Sequence, residues 1–394
     1  MLHTVTTQQI DNAMNPANSI LRSPPMQNEL RTTIYNHLQW ADVRHLWLLL
    51  VTTSPYASFF LSCEWVESWL EFYGDLLKPQ ILIFTDEGNT VGACLLVERT
   101  IFRGPVPVRC IFLNTAGEDE IEETCADFNN LLCLEGCEEA MAMALWAHLE
   151  QRNPDEISAT GFAMGRPLDA LAGAFNGRTQ LERIERSFYV DLAQLRNDNC
   201  LYLMALRQSA RTNVRRAYRK YGTVELTAAE NISDALDMFE ELVDLHQRTW
   251  NSRGRPGSFA SRRTLGFIQC LIRRGLPTGA VLILRVKSGS QTIGILLQFV
   301  FRRKVNYYAG GLCYREDPQF SPGIVSLVAG INYCLERGFD EVDFLAGESE
   351  YKKQLSTGSR NLSWTVFQKP SAKMQLIRIV QGIKRRTFRQ MEKH

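Results

Sequence analysis

Histidine is scarce in this chain, and what is missing around it is informative. The six histidines (His3, His37, His45, His148, His246, His394) form no HxxxH or HExxH pattern, so the common helical zinc site is excluded. Of ten cysteines, only Cys133 and Cys137 stand close together, and no second pair completes a metal cage. No metal is therefore expected, and the cysteines read as buried free thiols of a reducing cytoplasm. Long apolar runs are missing too: "LWLLLV" at 46–51 falls far short of the roughly 20 residues that a membrane helix needs. The opening stretch "MLHTVTTQQIDNAMNPANSI" has no basic segment followed by an apolar one, so no secretory signal is expected. Neither sign of charge is in excess. A net charge of +1 argues against wholesale nucleic-acid binding, while leaving room for local patches.

What remains is 394 residues, 45% hydrophobic and 22% charged, which is a soluble globular composition and more than one ordinary core holds. Two domains are expected. Residues 1–28 are polar, carry Pro24-Pro25 and read as a flexible segment. The first domain is placed at 29–192, the second at 193–369, and a basic amphipathic tail at 370–394.

A long-range repeat supports that division. "ILIFTDEGNTVGACLLVERT" at 81–100 and "AVLILRVKSGSQTIGILLQFVF" at 280–301 both read as strand, tight turn, strand. Each resumes after its turn with a matching tripeptide, Thr90-Val91-Gly92 and Thr292-Ile293-Gly294. Each hairpin is later followed by an amphipathic helix and a strand whose junctions match, Asp155-Glu156-Ile157 against Asp340-Glu341-Val342. Two matches in the same order predict a duplicated β-β-α-β unit. A helix that crosses back to a parallel strand makes the fold class α/β with a mixed sheet.

Three stretches carry candidate chemistry. In "YLMALRQSARTNVRRAYRKYG" at 202–222, Arg207, Arg211, Arg215 and Arg219 recur every four residues on one helix face. The stripe reads either as a solvated face answered by acids of "EELVDLH" at 240–246, or as a phosphate-facing surface. The phosphate could belong to a CoA, a nucleotide-linked substrate or a tRNA end. "TWNSRGRPGSF" at 249–259 reads as an irregular loop anchored by Trp250 and Phe259, either a lid or an ordinary connection. In "QFSPGIVSL", Ser321 is placed as an N-cap with Pro322 at the first helical position, and the free amides there suit an anion. The strand "EVDFLAG" then ends in a polar cluster, Glu348, Glu350, Tyr351 and Lys352, where ligands of open α/β sheets usually sit.

At these residues the chain resembles a known family. Ser321-Pro322-Gly323, a helix, Gly338, Asp343-Phe344, Gly347 and Tyr351-Lys352 are similar to the signature of the CelD/BcsL cellulose-biosynthesis acyltransferases, members of the GNAT superfamily. "CEWVESWLEFYG" at 63–74, "LNTAGE" at 113–118, "FNNLLC" at 128–133 and "WNSRGRPGSF" extend the likeness over roughly residues 35–368. The resemblance implies a tandem GNAT fold related to the FemAB peptidyl transferases. In place of the usual pyrophosphate-gripping Arg/Gln-x-x-Gly-x-Gly/Ala loop stands Ser-Pro-Gly. It implies an N-acyltransferase using acyl-CoA or acetyl-CoA, with a sugar, lipid or peptide amine as acceptor in envelope or exopolysaccharide biosynthesis. A FemAB-like transferase using aminoacyl-tRNA and a non-catalytic GNAT-like binding module are the alternatives. Asp343 or Glu348 is then the expected base or orienter, Tyr351 a proton donor and Lys352 an electrostatic stabiliser. Ser321, Gly323, Arg211 and Arg215 are the expected donor-binding residues. The protein is expected in the cytoplasm. Leu376, Ile379, Val380 and Ile383 among basic residues suggest peripheral contact with the inner membrane face, or a helix packed on the second domain.

Overall fold

The computed structural model describes residues 29–379 apart from positions 316, 318 and 319. The expected flexible segment 1–28, and Val380 and Ile383 of the tail, lie outside the described residues. The first half runs β1 (Arg31–Asn36), α1 (Trp40–Thr53), α2 (Cys63–Leu77), β2 (Gln80–Asp86), β3 (Asn89–Arg103) and β4 (Val106–Leu113). It continues with a short β5 (Leu132–Cys133), α3 (Glu138–Glu150), β6 (Glu156–Ala163), α4 (Arg166–Ala174) and β7 (Thr179–Asp191). Three helices connect the halves: α5 (Leu192–Asn197), α6 (Tyr202–Ala205) and α7 (Gln208–Tyr221). The second half repeats the order with β8 (Glu225–Ala228), α8 (Ile232–Ser252), α9 (Arg262–Gly275), β9 (Val281–Ser288), β10 (Gln291–Phe301) and β11 (Lys304–Leu312). It closes with α10 (Pro322–Glu336), β12 (Glu341–Ala346), α11 (Glu350–Leu355) and β13 (Gly358–Gln368).

The duplication is larger than the hairpins suggest: apart from β5, the whole order β-α-α-β-β-β-α-β-α-β occurs twice. Both Thr-Val/Ile-Gly matches have one cause. A Cβ on Gly92 would lie 2.6 Å from Met141 Sδ on α3, and one on Gly294 would lie 2.5 Å from Ser326 Oγ on α10. In each half the crossing helix presses on the second hairpin strand, and only glycine leaves room.

All strands join one mixed sheet, ordered β1-β2-β3-β4-β6-β13-β7-β12-β11-β10-β9-β8, with β5 beside β3. The last strands are exchanged. β7 of the first half pairs antiparallel with β12, and β13 of the second half pairs antiparallel with β6. β7 and β13 also pair with each other, from Gly358↔Tyr189 to Gln368↔Thr179. On one sheet face, α1, α2, α8 and α9 share a core that spans both halves, with Trp65 of α2 edge-on to Phe267 of α9 at 5.0 Å. The other face carries α3 and α4 over the first half and α10 over the second.

After β13, a helical stretch at 372–379 turns Met374 and Ile377 onto Val108 and Cys110 of β4. The described part of the tail thus packs on the first half rather than the second, through Met374 and Ile377. Leu376 and Ile379 stay 56% and 60% exposed. Among the described residues no helix is long and apolar enough to cross a membrane.

Candidate active site

The site grows from a split in the sheet. β11 and β12 pair in parallel only from Lys304↔Glu341 to Asn306↔Asp343, and then diverge. Asp343 makes that departure: Oδ1 accepts the Leu345 N–H at 2.7 Å and the Ser187 hydroxyl, which holds Leu345 at a left-handed φ of 60°. A non-glycine residue in that region is held there by its surroundings. The wedge between the strands opens into a cavity of about 780 Å³. Its walls are the free half of β11, the end of β12, the start of α10 and the C-terminal part of α8 with its following loop.

The first half splits in the same place but is plugged. β4 and β6 pair only from Cys110↔Glu156 to Phe112↔Ser158. Beyond that point Asn129 enters the gap and bridges to Phe162, donating its N–H to Gly161 O at 2.9 Å and accepting from Ala163 N at 3.2 Å. The Asn114 side chain locks it, donating to Asn129 Oδ1 at 2.8 Å.

The helix starts differ in the same sense. α3 opens with Glu138, a fully buried carboxylate that accepts the Tyr56 hydroxyl and pairs with Arg166 at 3.2 Å. That helix brings its own anion. α10 begins Pro322-Gly323, and Ser321, although at the N-cap position, makes no side-chain cap. The amides of its first turn, facing the cavity through Ser321, Gly323 and Ile324, remain available to an external anion. Two cations stand near: Arg253 lies 5.9 Å from both the Trp250 and Tyr314 rings, and Arg315 lies 4.3 Å over Phe320. The loop at 249–259 is therefore a cavity wall. Gln247 of α8 fixes it by donating to Pro256 O at 2.7 Å.

Of the residues expected from sequence, Ser321, Gly323, Tyr351 and Lys352 line this cavity. Lys352 Nζ donates to Leu345 O at 3.1 Å and Ala346 O at 2.7 Å, and burial holds its pKa below the usual lysine value. Burial raises the Tyr351 hydroxyl, which favours its protonated form. The other four lie elsewhere. Asp343 is 1% exposed and faces a separate pocket of about 230 Å³, where Arg360 approaches at 3.5 Å. It shapes the wedge and does not reach into it, because strand alternation turns its side chain away. Glu348 is exposed and pairs with Lys353 at 3.4 Å. Arg211 and Arg215 lie on α7 outside the cavity wall, and the α8 acids do not answer them, since Glu241 pairs with Arg285 instead.

Sequence reading missed the carboxylate that does reach the wedge. Asp127 is 6% exposed, lines the cavity and accepts the Ala346 N–H at 2.6 Å. Burial, with repulsion from Asp343 as a smaller contribution, pushes its pKa up to about 7, against the pull of the Ala346 N–H and of Lys352. Only its place beside "FNNLLC", two residues before the plugging Asn129, could have drawn attention to it. His246 of α8 also lines the cavity, and burial lowers its pKa, which favours the neutral imidazole.

Residues 208–353 match the acetyltransferase (GNAT) domain family. That match lies within the second half and covers less than half of the chain. No curated protein matches the chain by sequence. Among solved structures, FemX is similar over 82% of this chain and 96% of its own, with 12% identity and a TM-score of 0.55. L-PGS from Bacillus licheniformis is similar over 81% of this chain and 96% of its own, with 12% identity and a TM-score of 0.50. A conserved protein of unknown function from Bacteroides thetaiotaomicron VPI-5482 covers 83% and 97%, with 11% identity and a TM-score of 0.50. At such identities the likeness is one of fold. The GNAT match ends at Lys353, so it takes in the open wedge and α10, while the plugged wedge lies outside it.

Proposed function

We propose that this protein is an N-acyltransferase that moves an acyl group from an acyl-CoA to a primary amine, acting on a sugar, lipid or peptide precursor of the cell envelope or exopolysaccharide. The observation that carries this reading is the asymmetry of the two wedges. One is filled by the chain's own Asn129, and the other is an open cavity with an uncapped helix start, two arginines and a desolvated carboxylate. Amides at the start of α10, with Arg253 and Arg315, suit the pyrophosphate of a CoA. The unpaired edge of β11 offers main-chain groups to its amide-bearing arm.

Direct transfer needs positioning, a base and a way to protonate the leaving thiolate. The amine nitrogen forms a bond to the acyl carbon as the carbon–sulfur bond breaks. Asp127 takes the nitrogen's proton, and Tyr351 is the donor in reach of the cavity for the thiolate. A base with pKa about 7 is matched to neutral pH. Lys352, which donates to the Leu345 and Ala346 carbonyls, is placed to stabilise the charge that develops on the acyl oxygen.

Thermal shift with CoA and acetyl-CoA, followed by mass detection of an acylated amine, tests the reading. A donor present at a hundred times its dissociation constant should stabilise the fold by about 2.7 kcal/mol. If neither compound binds, the acyl-CoA reading fails and a binding module remains. The second reading, transfer from aminoacyl-tRNA, is favoured by one observation. Arg211 and Arg215 are on the surface of α7 with no ion pair to a described acid, leaving a basic face for a polyanion. Binding of charged tRNA in place of CoA would select it. Exposed Leu376 and Ile379 beside Arg378 support a peripheral contact with anionic lipid, which sedimentation with vesicles tests.

A further inference from the structure

Behind Asp127 lies a second cavity, of about 480 Å³. Glu123, Cys125, Asp127 and Ala346 border both this cavity and the larger one, so the two meet at the Asp127 carboxyl. Two openings converging on one carboxylate fit a reaction between two substrates. The larger cavity has the cationic groups, and the smaller one is acidic.

Its charge is specific in arrangement as well as in sign. In the loop at 118–123, Asp119 pairs with Arg99 at 2.8 Å and Glu122 with Arg263 at 2.6 Å. Glu118, Glu120 and Glu123, which line the cavity, pair with no described cation. Glu118 accepts only from neutral groups, the Trp69 indole and the Thr124 hydroxyl. The one base in the wall, Arg183, pairs with Glu185, stacks 4.8 Å over Trp364 and attracts Glu123 without forming an ion pair with it. Asp127 itself is more than nine-tenths buried, and its Oδ1 accepts no hydrogen bond from any described residue. Glu120 and Glu123 are exposed at the rim, whereas Asp127 is withdrawn from water, where a carboxylate without a cation is costly and a cationic ligand would offset that cost.

We infer that this second cavity admits the acceptor, and that the acceptor is an oligoamine, a molecule with at least two amino groups. One nitrogen reaches Asp127 as the free amine and attacks the acyl carbon. The nitrogen–carbon bond forms, the carbon–sulfur bond breaks, and the proton passes to Asp127. A second, protonated nitrogen sits among Glu118, Glu120 and Glu123. The inference rests on the acyl-transfer reading and adds the class of acceptor.

The test compares acetyl transfer from acetyl-CoA to spermidine and to butylamine, in the full chain and in Glu120→Gln/Glu123→Gln. Spermidine should show a kcat/KM at least tenfold above butylamine at low salt, a preference that shrinks as salt rises. The double variant should bring the ratio near one. Equal rates for the two amines, or a ratio that the variant leaves intact, would overturn the inference while acetyl transfer itself stands. If acetyl-CoA is not used at all, calorimetry with spermidine alone still decides. Binding that the double variant abolishes supports an oligoamine site, and no binding refutes it.

Discussion

At the scale of single residues, the proposed chemistry is divided between Asp127 and Lys352. Burial raises Asp127 to about 7, well above an unfolded carboxyl near 3.9. A raised folded pKa means that the folded chain binds the proton more tightly. Its stabilising contribution is complete below the unfolded pKa and is lost as pH rises towards 7. Asp127→Asn keeps an acceptor for the Ala346 N–H and removes that penalty. The variant should therefore be more stable than the parent at pH 8, by about 2 kcal/mol, and little changed at pH 4. Denaturant titration at the two pH values checks this. In the parent, kcat/KM should rise with pH to a plateau above about 7. The variant should lose at least a hundredfold in kcat. Lys352→Ala should cut kcat/KM at least tenfold, about 1.4 kcal/mol. Lys353→Ala should cost less than twofold, because Lys353 is tied outward to Glu348 and Glu350 at 3.4 and 3.5 Å. Equal effects at both lysines would return the segment to an ordinary turn.

At the scale of elements, helices crossing the hairpins set the tolerances. Ala at Gly294 would bring its Cβ to 2.5 Å from Ser326 Oγ and 2.8 Å from Leu312 Cδ2, in a packed interior. Gly294→Ala should cost about 1–3 kcal/mol in urea titration. Gly92→Ala should cost less, since the atom it meets, Met141 Sδ, is towards the end of a flexible side chain. α7 tests a different point. Its arginines stand off the cavity wall, so Arg211→Gln/Arg215→Gln should leave acetyl-CoA affinity within twofold in a calorimetric titration. A large loss would mean that the donor extends across α7.

At the scale of the molecule, the exchanged strands decide how the chain unfolds. β13 fills the place beside β6 that β7 would take in a single unit, and β7 fills the place beside β12. A core shared by α1, α2, α8 and α9 reinforces the join. The full chain should therefore unfold in one cooperative transition by calorimetry. A fragment ending at residue 192 would leave the β6 edge open and half of that shared core in water. Its near-ultraviolet circular dichroism should show no fixed packing. Two separate transitions in the full chain would contradict this picture.

The sequence by itself determined the repeat, the mixed α/β class and the place of Ser321, Gly323, Tyr351 and Lys352. Each rests on a local signal: a hairpin turn, a glycine under a crossing helix, a proline at a helix start, a polar strand end. Which wedge is open was beyond it, because the plug is a tertiary event. Asn129 meets Phe162 across 33 residues, and nothing local distinguishes it from a loop asparagine. The direction of Asp343 was hidden for a like reason. Strand register turns its carboxyl to the far side, while Asp127, 216 residues earlier, is brought under Ala346 by the fold alone. Strand exchange was likewise illegible, since β7 and β13 have compatible edges and only the packing of the two halves chooses between them. Local chemistry is written in short spacings; the partner a side chain finds across the fold is set by the whole chain's packing.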